Sequence, residues 1–302
     1  ASPLMTDRPP VCDYEGSRYQ ATFWDRGGRE YEDQTEARAL RAFLPPRGRL
    51  LLEVGAGAGR HTPRYSGFER VVLLDYSRTQ LQQAQARLGR HERYLYVAAD
   101  VYRLPFVPGL FDAATMIRVI HHMADAPAAL RQVRAALQPD AVFILEFANK
   151  RNLKAILRWL LGRQNWNPFD PAPVEYLPLN FDFHPRTMLG WLRQAGFDVQ
   201  RIRTLSHFRL GVLKRLVPTG LLVAGDALFQ PTGQLFQFTP SVLVRSQARS
   251  GGPLAPAGKF FRCPECSGDE LHDNGDHLHC AQCGRRWPVR EGIYDFRQTM
   301  DE

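Results

Sequence analysis

LLEVGAGAGR, residues 51–60, decides the fold. Its apolar start, residues 50–54, reads as a buried strand. The chain then places Gly55, Gly57 and Gly59 at alternate positions, where the backbone can turn sharply and approach a ligand closely. The same rhythm continues outward. Residues 71–74 read as a second strand ending in Asp75, and Ser77 is placed to cap a polar helix that runs to Leu88. Residues 94–98, 113–117 and 141–146 are three more strand candidates. Between the last two, residues 128–137 carry apolar side chains at Leu130, Val133, Ala136 and Leu137, a helical spacing. A helix over 187–195 and strands over 197–204 and 241–244 complete the series. Strands alternating with helices predict an α/β fold, a doubly wound, mostly parallel seven-stranded sheet with helical inserts and right-handed crossovers.

Residues 248–259 are rich in glycine, proline and alanine and read as a linker. The expected organisation is an N-terminal helical cap over 1–45, a Rossmann-like body over 46–247, the linker, and a small zinc ribbon over 260–302. No apolar run approaches the roughly 18 residues needed to span a bilayer. Residues 1–10 lack the pattern of a signal peptide, so a soluble cytoplasmic protein is expected. The net charge of +8 is unevenly spread. Residues 151–250 hold 13 basic against 5 acidic groups, whereas 251–302 hold 6 against 9. The basic character of the body's second half suits RNA, an anionic lipid surface, an acidic small molecule, or simply a solvated face.

A glycine turn after a strand serves dinucleotides, nucleotides and S-adenosylmethionine alike. The dinucleotide fingerprint wants a further glycine where Arg60 stands. Asp75, 20 residues after Gly55, ends the second strand, where a carboxylate can accept hydrogen bonds from both ribose hydroxyls. Asp100 follows the third strand, where a carboxylate can meet an adenine amino group. Glu53 lies where a carboxylate favours a bound ammonium. Three acids at the ends of adjacent strands suit a cationic sulfonium nucleoside better than an anionic pyrophosphate.

Taken in order, LLEVGAGAGR, VVLLDYS (71–77), AADVYRLPF (98–106), FDAATMIRVIHHM (111–123) and DAPAALRQVRAALQPD (125–140) resemble the successive motifs of class I S-adenosylmethionine-dependent methyltransferases. The branch they look most like includes the ubiquinone and menaquinone biosynthesis enzymes. The likeness is strong over 45–147 and loose over 185–247. It implies that Glu53, Gly55, Ala56 and Gly57 hold the methionine portion and that Asp75 and Tyr76 face ribose and adenine. Asp100 and the Val101 backbone would read the adenine edge, and Arg118 would meet the amino acid portion. Asp140-Ala141 departs from the usual Gly-Gly turn before the fifth strand. His121 and His122 are the candidate catalytic bases, with His184 and His207 behind them.

The substrate side is less legible. Tyr14, Tyr19, Phe23, Trp24 and Tyr31 could form an aromatic lid or pack on the sheet. Residues 149–180 contain a basic amphipathic helix, and 210–238 are strongly apolar. Either insert could enclose a large apolar substrate or rest on a membrane, or the two could bury their apolar faces against each other. A small or lipid-like substrate is therefore expected. RNA, or cofactor binding without turnover, are the alternatives. No Asn-Pro-Pro-aromatic motif follows the fourth strand, and no cysteine lies near it, which argues against base methylation of the usual kinds.

Cys263-x-x-Cys266 and Cys280-x-x-Cys283 are two metal knuckles, and together they predict a closed, structural four-thiolate zinc site. A tail this small could hardly fold without its metal. Residues 260–296 resemble the small ribbon proteins that partner tRNA and translation-factor methyltransferases. That likeness implies a stabilising module packed on the catalytic domain or on a partner protein. The tail's excess of acidic groups argues against phosphate contact.

Overall fold

A computed structural model describes residues 9–13, 15–16 and 28–300. Of the aromatic residues considered as a lid, Tyr14, Tyr19, Phe23 and Trp24 lie outside the described residues. The first helix, α1 (Glu30–Phe43), leads into β1 (Gly48–Val54), β2 (Phe68–Asp75), α2 (Arg78–Leu88) and β3 (Tyr94–Ala98). Then come β4 (Phe111–Met116), α3 (Ala126–Ala136) and β5 (Leu137–Ala148). The insert that follows holds α4 (Leu153–Leu160) and a small hairpin of β6 (Val174–Leu177) and β7 (Asn180–Asp182). The body closes with α5 (Pro185–Gln194), β8 (Phe197–Leu205), α6 (Gly211–Leu216), α7 (Thr219–Phe229) and β9 (Ser241–Ala248). The tail supplies β10 (Leu271–Asp273), β11 (His277–Cys280), β12 (Arg286–Arg290) and β13 (Ile293–Asp295).

Seven strands form the expected sheet in the order β3-β2-β1-β4-β5-β9-β8, with β9 antiparallel to both neighbours. Alternate residues of the central strands feed two apolar layers. Leu52, Val54, Val72 and Leu74 face α3 and α5, through Leu130, Val133, Met188 and Leu192. Leu51, Val71 and Leu73 face α1 and α2, through Leu40, Phe43, Leu81 and Ala84. A sheet buried on both faces is what a parallel βαβ chain requires. Ser77 caps α2 by accepting from the Gln80 N–H, as its position predicts. Asp140 stands at φ 65°, so the turn that usually carries glycine keeps its left-handed backbone with a residue that tolerates it.

The ribbon likeness implies packing on the catalytic domain or on a partner, but not which edge of the body the tail meets. β13 pairs in parallel with β3, Ile293 opposite Tyr96 and Asp295 opposite Ala98, so the sheet runs on through β12, β11 and β10 to eleven strands. The segment before the tail is held too. The Ala255 N–H donates to the Gly109 carbonyl, and Arg134 reaches the carbonyls of Arg249 and Gly251.

Candidate active site

The carboxyl ends of β1, β2 and β3, with the chain after β4, surround one crevice. It is lined by Gly55, Gly57, Asp75, Tyr76, Val101 and Arg118, among others. Gly55 (φ 68°) and Gly57 (φ 53°) make the turn after β1. At Gly55 a Cβ would sit 2.2 Å from a Val119 methyl, so glycine is needed there twice over.

Asp75 anchors this turn. One oxygen accepts from the Gly57 N–H at 2.8 Å and the other from the Ser77 N–H at 2.9 Å. Burial pushes its carboxyl up to about 6 despite those bonds. Glu53 is buried deeper, accepts from the Thr62 hydroxyl at 2.6 Å, and is pushed up to about 8 by burial. Glu53, Gly55, Ala56 and Gly57 line a second cavity that shares Arg118 with the first. Asp100 accepts from the Tyr102 N–H at 2.9 Å and sits between the lining residues Ala99 and Val101.

Arg118 stands at φ 59°, in a left-handed conformation costly for a bulky residue. Its backbone N–H donates to Glu146 at 2.9 Å, and its guanidinium is paired with Glu36 of α1. Burial alone would raise Glu36, but the guanidinium groups of Arg118 and Arg60 hold it well below the usual carboxylate range. Sequence reading missed Glu36. It lies on a helix distant in the chain, and only the fold brings it to Arg118.

Beyond Arg118 opens a polar cavity of about 690 Å³. Its wall includes His121, His122, Glu146, Asp182, Asn149 and Ser241, with Arg158, Arg163 and Arg209 from the inserts. The Nδ1 of His121 is buried and has no hydrogen-bond partner. Burial, with His122 and Arg118 nearby, holds His121 well below its ordinary range, so its ring is neutral. His122 bonds through Nδ1 to the Leu179 carbonyl at 3.0 Å, and burial lowers it too. Asp182 is pushed up to about 6 by burial and by the neighbouring Glu146, which burial also raises. Glu146 was recoverable from sequence, as an acid at the end of the buried fifth strand; Asp182, in an insert, was not. His184 and His207 do not line this cavity. His184 caps α5, and His207 bonds Asp226 and Thr204.

In the tail, the sulfur atoms of Cys263, Cys266, Cys280 and Cys283 all lie within 4.8 Å of one another. Cys263 and Cys283 are 3.7 Å apart, and Cys266 and Cys280 are 3.5 Å apart. A zinc tetrahedron with bonds of about 2.3 Å has edges of about 3.8 Å, so the donor set fits such an ion. Around this cluster, Phe260 and Phe261 pack against Phe106 of the body, and Arg103 pairs with Glu265. Arg297 donates to the Tyr76 carbonyl and to Glu15, each at 3.1 Å, and lies over the Tyr76 ring. The tail thus touches a residue of the crevice.

Residues 52–145 match the family model of the methyltransferase domain. The demethylmenaquinone methyltransferase of Clavibacter sepedonicus is 27% identical over 60% of this chain and 78% of its own length. The ubiquinone/menaquinone biosynthesis C-methyltransferase of Paracoccus denitrificans is 29% identical over 56% and 74%. Among solved structures, the complex between the Haloferax volcanii Trm112 methyltransferase activator and a methyltransferase matches with a TM-score of 0.54 and 16% identity, over 76% of this chain and 96% of that one. A Thermotoga maritima S-adenosylmethionine-dependent methyltransferase matches equally well at 19%, over 76% and 97%. These two share the fold. The chain carries a methyltransferase domain over residues 52–145, which supports an S-adenosylmethionine-dependent methyltransferase, and it is similar to quinone-biosynthesis enzymes.

Proposed function

We propose that the crevice at the ends of β1, β2 and β3 holds S-adenosylmethionine and that the polar cavity beyond Arg118 holds the methyl acceptor, a small molecule. One observation carries the reading: Asp75 and Glu53 meet the glycine turn in two adjoining cavities that share Gly55, Gly57 and Arg118, and burial holds both acids above their ordinary range. Carboxylates that resist ionising in the empty protein are satisfied by a cation and by ribose hydroxyls. On this reading Glu53, Gly55, Ala56 and Gly57 hold the methionine portion, Asp75 and Tyr76 the ribose and adenine, and Asp100 and Val101 the adenine edge. Arg118, locked by Glu36 and Glu146, forms the partition between the two cavities.

The bound cofactor supplies an already activated methyl group, so the chain has to align a nucleophile with it and keep water out. His121 is neutral, and its open Nδ1 suits a hydrogen bond to the acceptor. Asp182 suits removal of a proton from it. Calorimetric titration with S-adenosylmethionine tests the reading. Micromolar binding that Asp75→Ala abolishes, with folding retained, is expected. Binding of a nicotinamide dinucleotide instead would overturn it.

The four thiols are read as a structural zinc site, and the ribbon as a module that supports the catalytic domain of its own chain. β13 on β3 and Arg297 on Tyr76 support the second point. Free thiols gathered for a metal, rather than paired, suit a reducing compartment, and the cytoplasm is the proposed location. Metal analysis of the purified chain should return one zinc per molecule. Its absence would remove the ribbon assignment.

A further inference from the structure

Eighteen large apolar residues of the described chain are exposed, and sixteen of them lie between Leu153 and Phe238. On α4 and at its C-terminal cap, Leu153, Leu157, Leu160 and Leu161 recur at helical spacing and are 50–66% exposed. On α6 and α7, Leu216 is 77% and Leu228 80% exposed. The inserts therefore do not bury their apolar faces against each other. They form a connected surface. α7 runs through residues 230–234 to the exposed Leu235, Phe236 and Phe238, and the Phe238 carbonyl accepts from the Leu153 N–H at the start of α4.

On α4, α6, α7 and the 235–238 segment the exposed charge has one sign, whereas the stretch around the β6–β7 hairpin carries the exposed acids Asp170 and Glu175. Residues 149–169 contain Lys150, Arg151, Lys154, Arg158 and Arg163 and no acidic residue. Residues 205–240 contain Arg209, Lys214 and Arg215, and their single acid, Asp226, is fully buried. The apolar side chains of α4, α6, α7 and the 235–238 segment project among cations with no exposed anion between them, which matches an interface whose outer layer is negative and whose interior is hydrocarbon. No described helix is long and apolar enough to cross a membrane, so contact is from one side.

We propose that α4, α6, α7 and the 235–238 segment dock this enzyme on an anionic membrane surface. Arg158, Arg163 and Arg209, carried by or beside these elements, also line the cavity of about 690 Å³. Docking therefore turns the cavity wall toward the headgroup layer, where an amphipathic acceptor would be met.

Sedimentation with vesicles tests this on the full chain with its metal. The protein should pellet with vesicles of equal parts phosphatidylcholine and phosphatidylglycerol, stay in solution with phosphatidylcholine alone, and be released by high salt. The exposed pair Leu157→Ser and Leu160→Ser, and separately Lys154→Glu, should each weaken vesicle binding by about tenfold or more. Calorimetric affinity for S-adenosylmethionine should be unchanged in these variants. That readout keeps the membrane question apart from the cofactor assignment, which can fail by itself. Equal partition with and without the anionic lipid would overturn the proposal. So would sedimentation velocity showing a dimer that the leucine variants dissociate, since the apolar face would then belong to a second copy.

Discussion

Burial disfavours the charged form of Glu53 and of Asp75, and this makes the site sensitive to pH. In the unfolded chain Glu53 ionises in the ordinary carboxylate range, whereas in the folded chain it ionises at about 8. Between those values the unfolded state has lost a proton that the folded state keeps, so Glu53 makes the empty protein less stable as pH rises through that window. Asp75 adds a smaller loss of the same sign up to about 6. A bound ammonium next to Glu53 removes the penalty. The rise in melting temperature produced by S-adenosylmethionine should therefore be larger at about pH 8 than at about pH 5. A Glu53→Gln variant should flatten that difference. Asp75→Ala should weaken cofactor binding by about 10²–10⁴-fold, the worth of two hydrogen bonds to a charged group. If Asp182 takes a proton in the reaction, turnover should rise as pH passes about 6, and Asp182→Asn should remove that limb of the profile.

At the scale of elements, β13 is a strand of three residues, yet Ile293 at its start is fully buried in the layer between the sheet and α2. Ile293→Ala should cost about 2–5 kcal/mol, read from urea denaturation, with early loss of the tail as its signature. Most of the body was legible because its strands are buried on both faces and its helices carry apolar spacing, so local pattern and tertiary role agree. The residues after each strand could be grouped along one rim for the same reason, since the strand ends share one edge of the sheet. What could not be read joins distant pieces of chain. Glu36 reaches Arg118 from α1, Asp182 enters the cavity on a hairpin, and β13 finds β3 through a three-residue match with no periodicity to reveal it. The inserts announced their apolar character plainly. Whether that character faced inward was a property of packing, and the structure turns it outward.

At the scale of the whole molecule, the four-cysteine cluster, the added strands and the crevice form one chain of contacts ending at Arg297 and Tyr76. Stripping zinc with a strong chelator should lower the melting temperature of the tail first and then weaken cofactor binding, because Tyr76 loses its support. Arg297→Ala should reproduce the loss of affinity while zinc content stays at one per chain, which separates positioning from folding. Covering the β3 edge has one more consequence. A support module supplied as a free subunit comes and goes with dilution, and the fraction of enzyme it activates depends on how much of it a cell makes. Here the module is tethered by about a dozen residues, at an effective concentration of order millimolar, so the ratio of module to enzyme is fixed at synthesis and dilution cannot separate them.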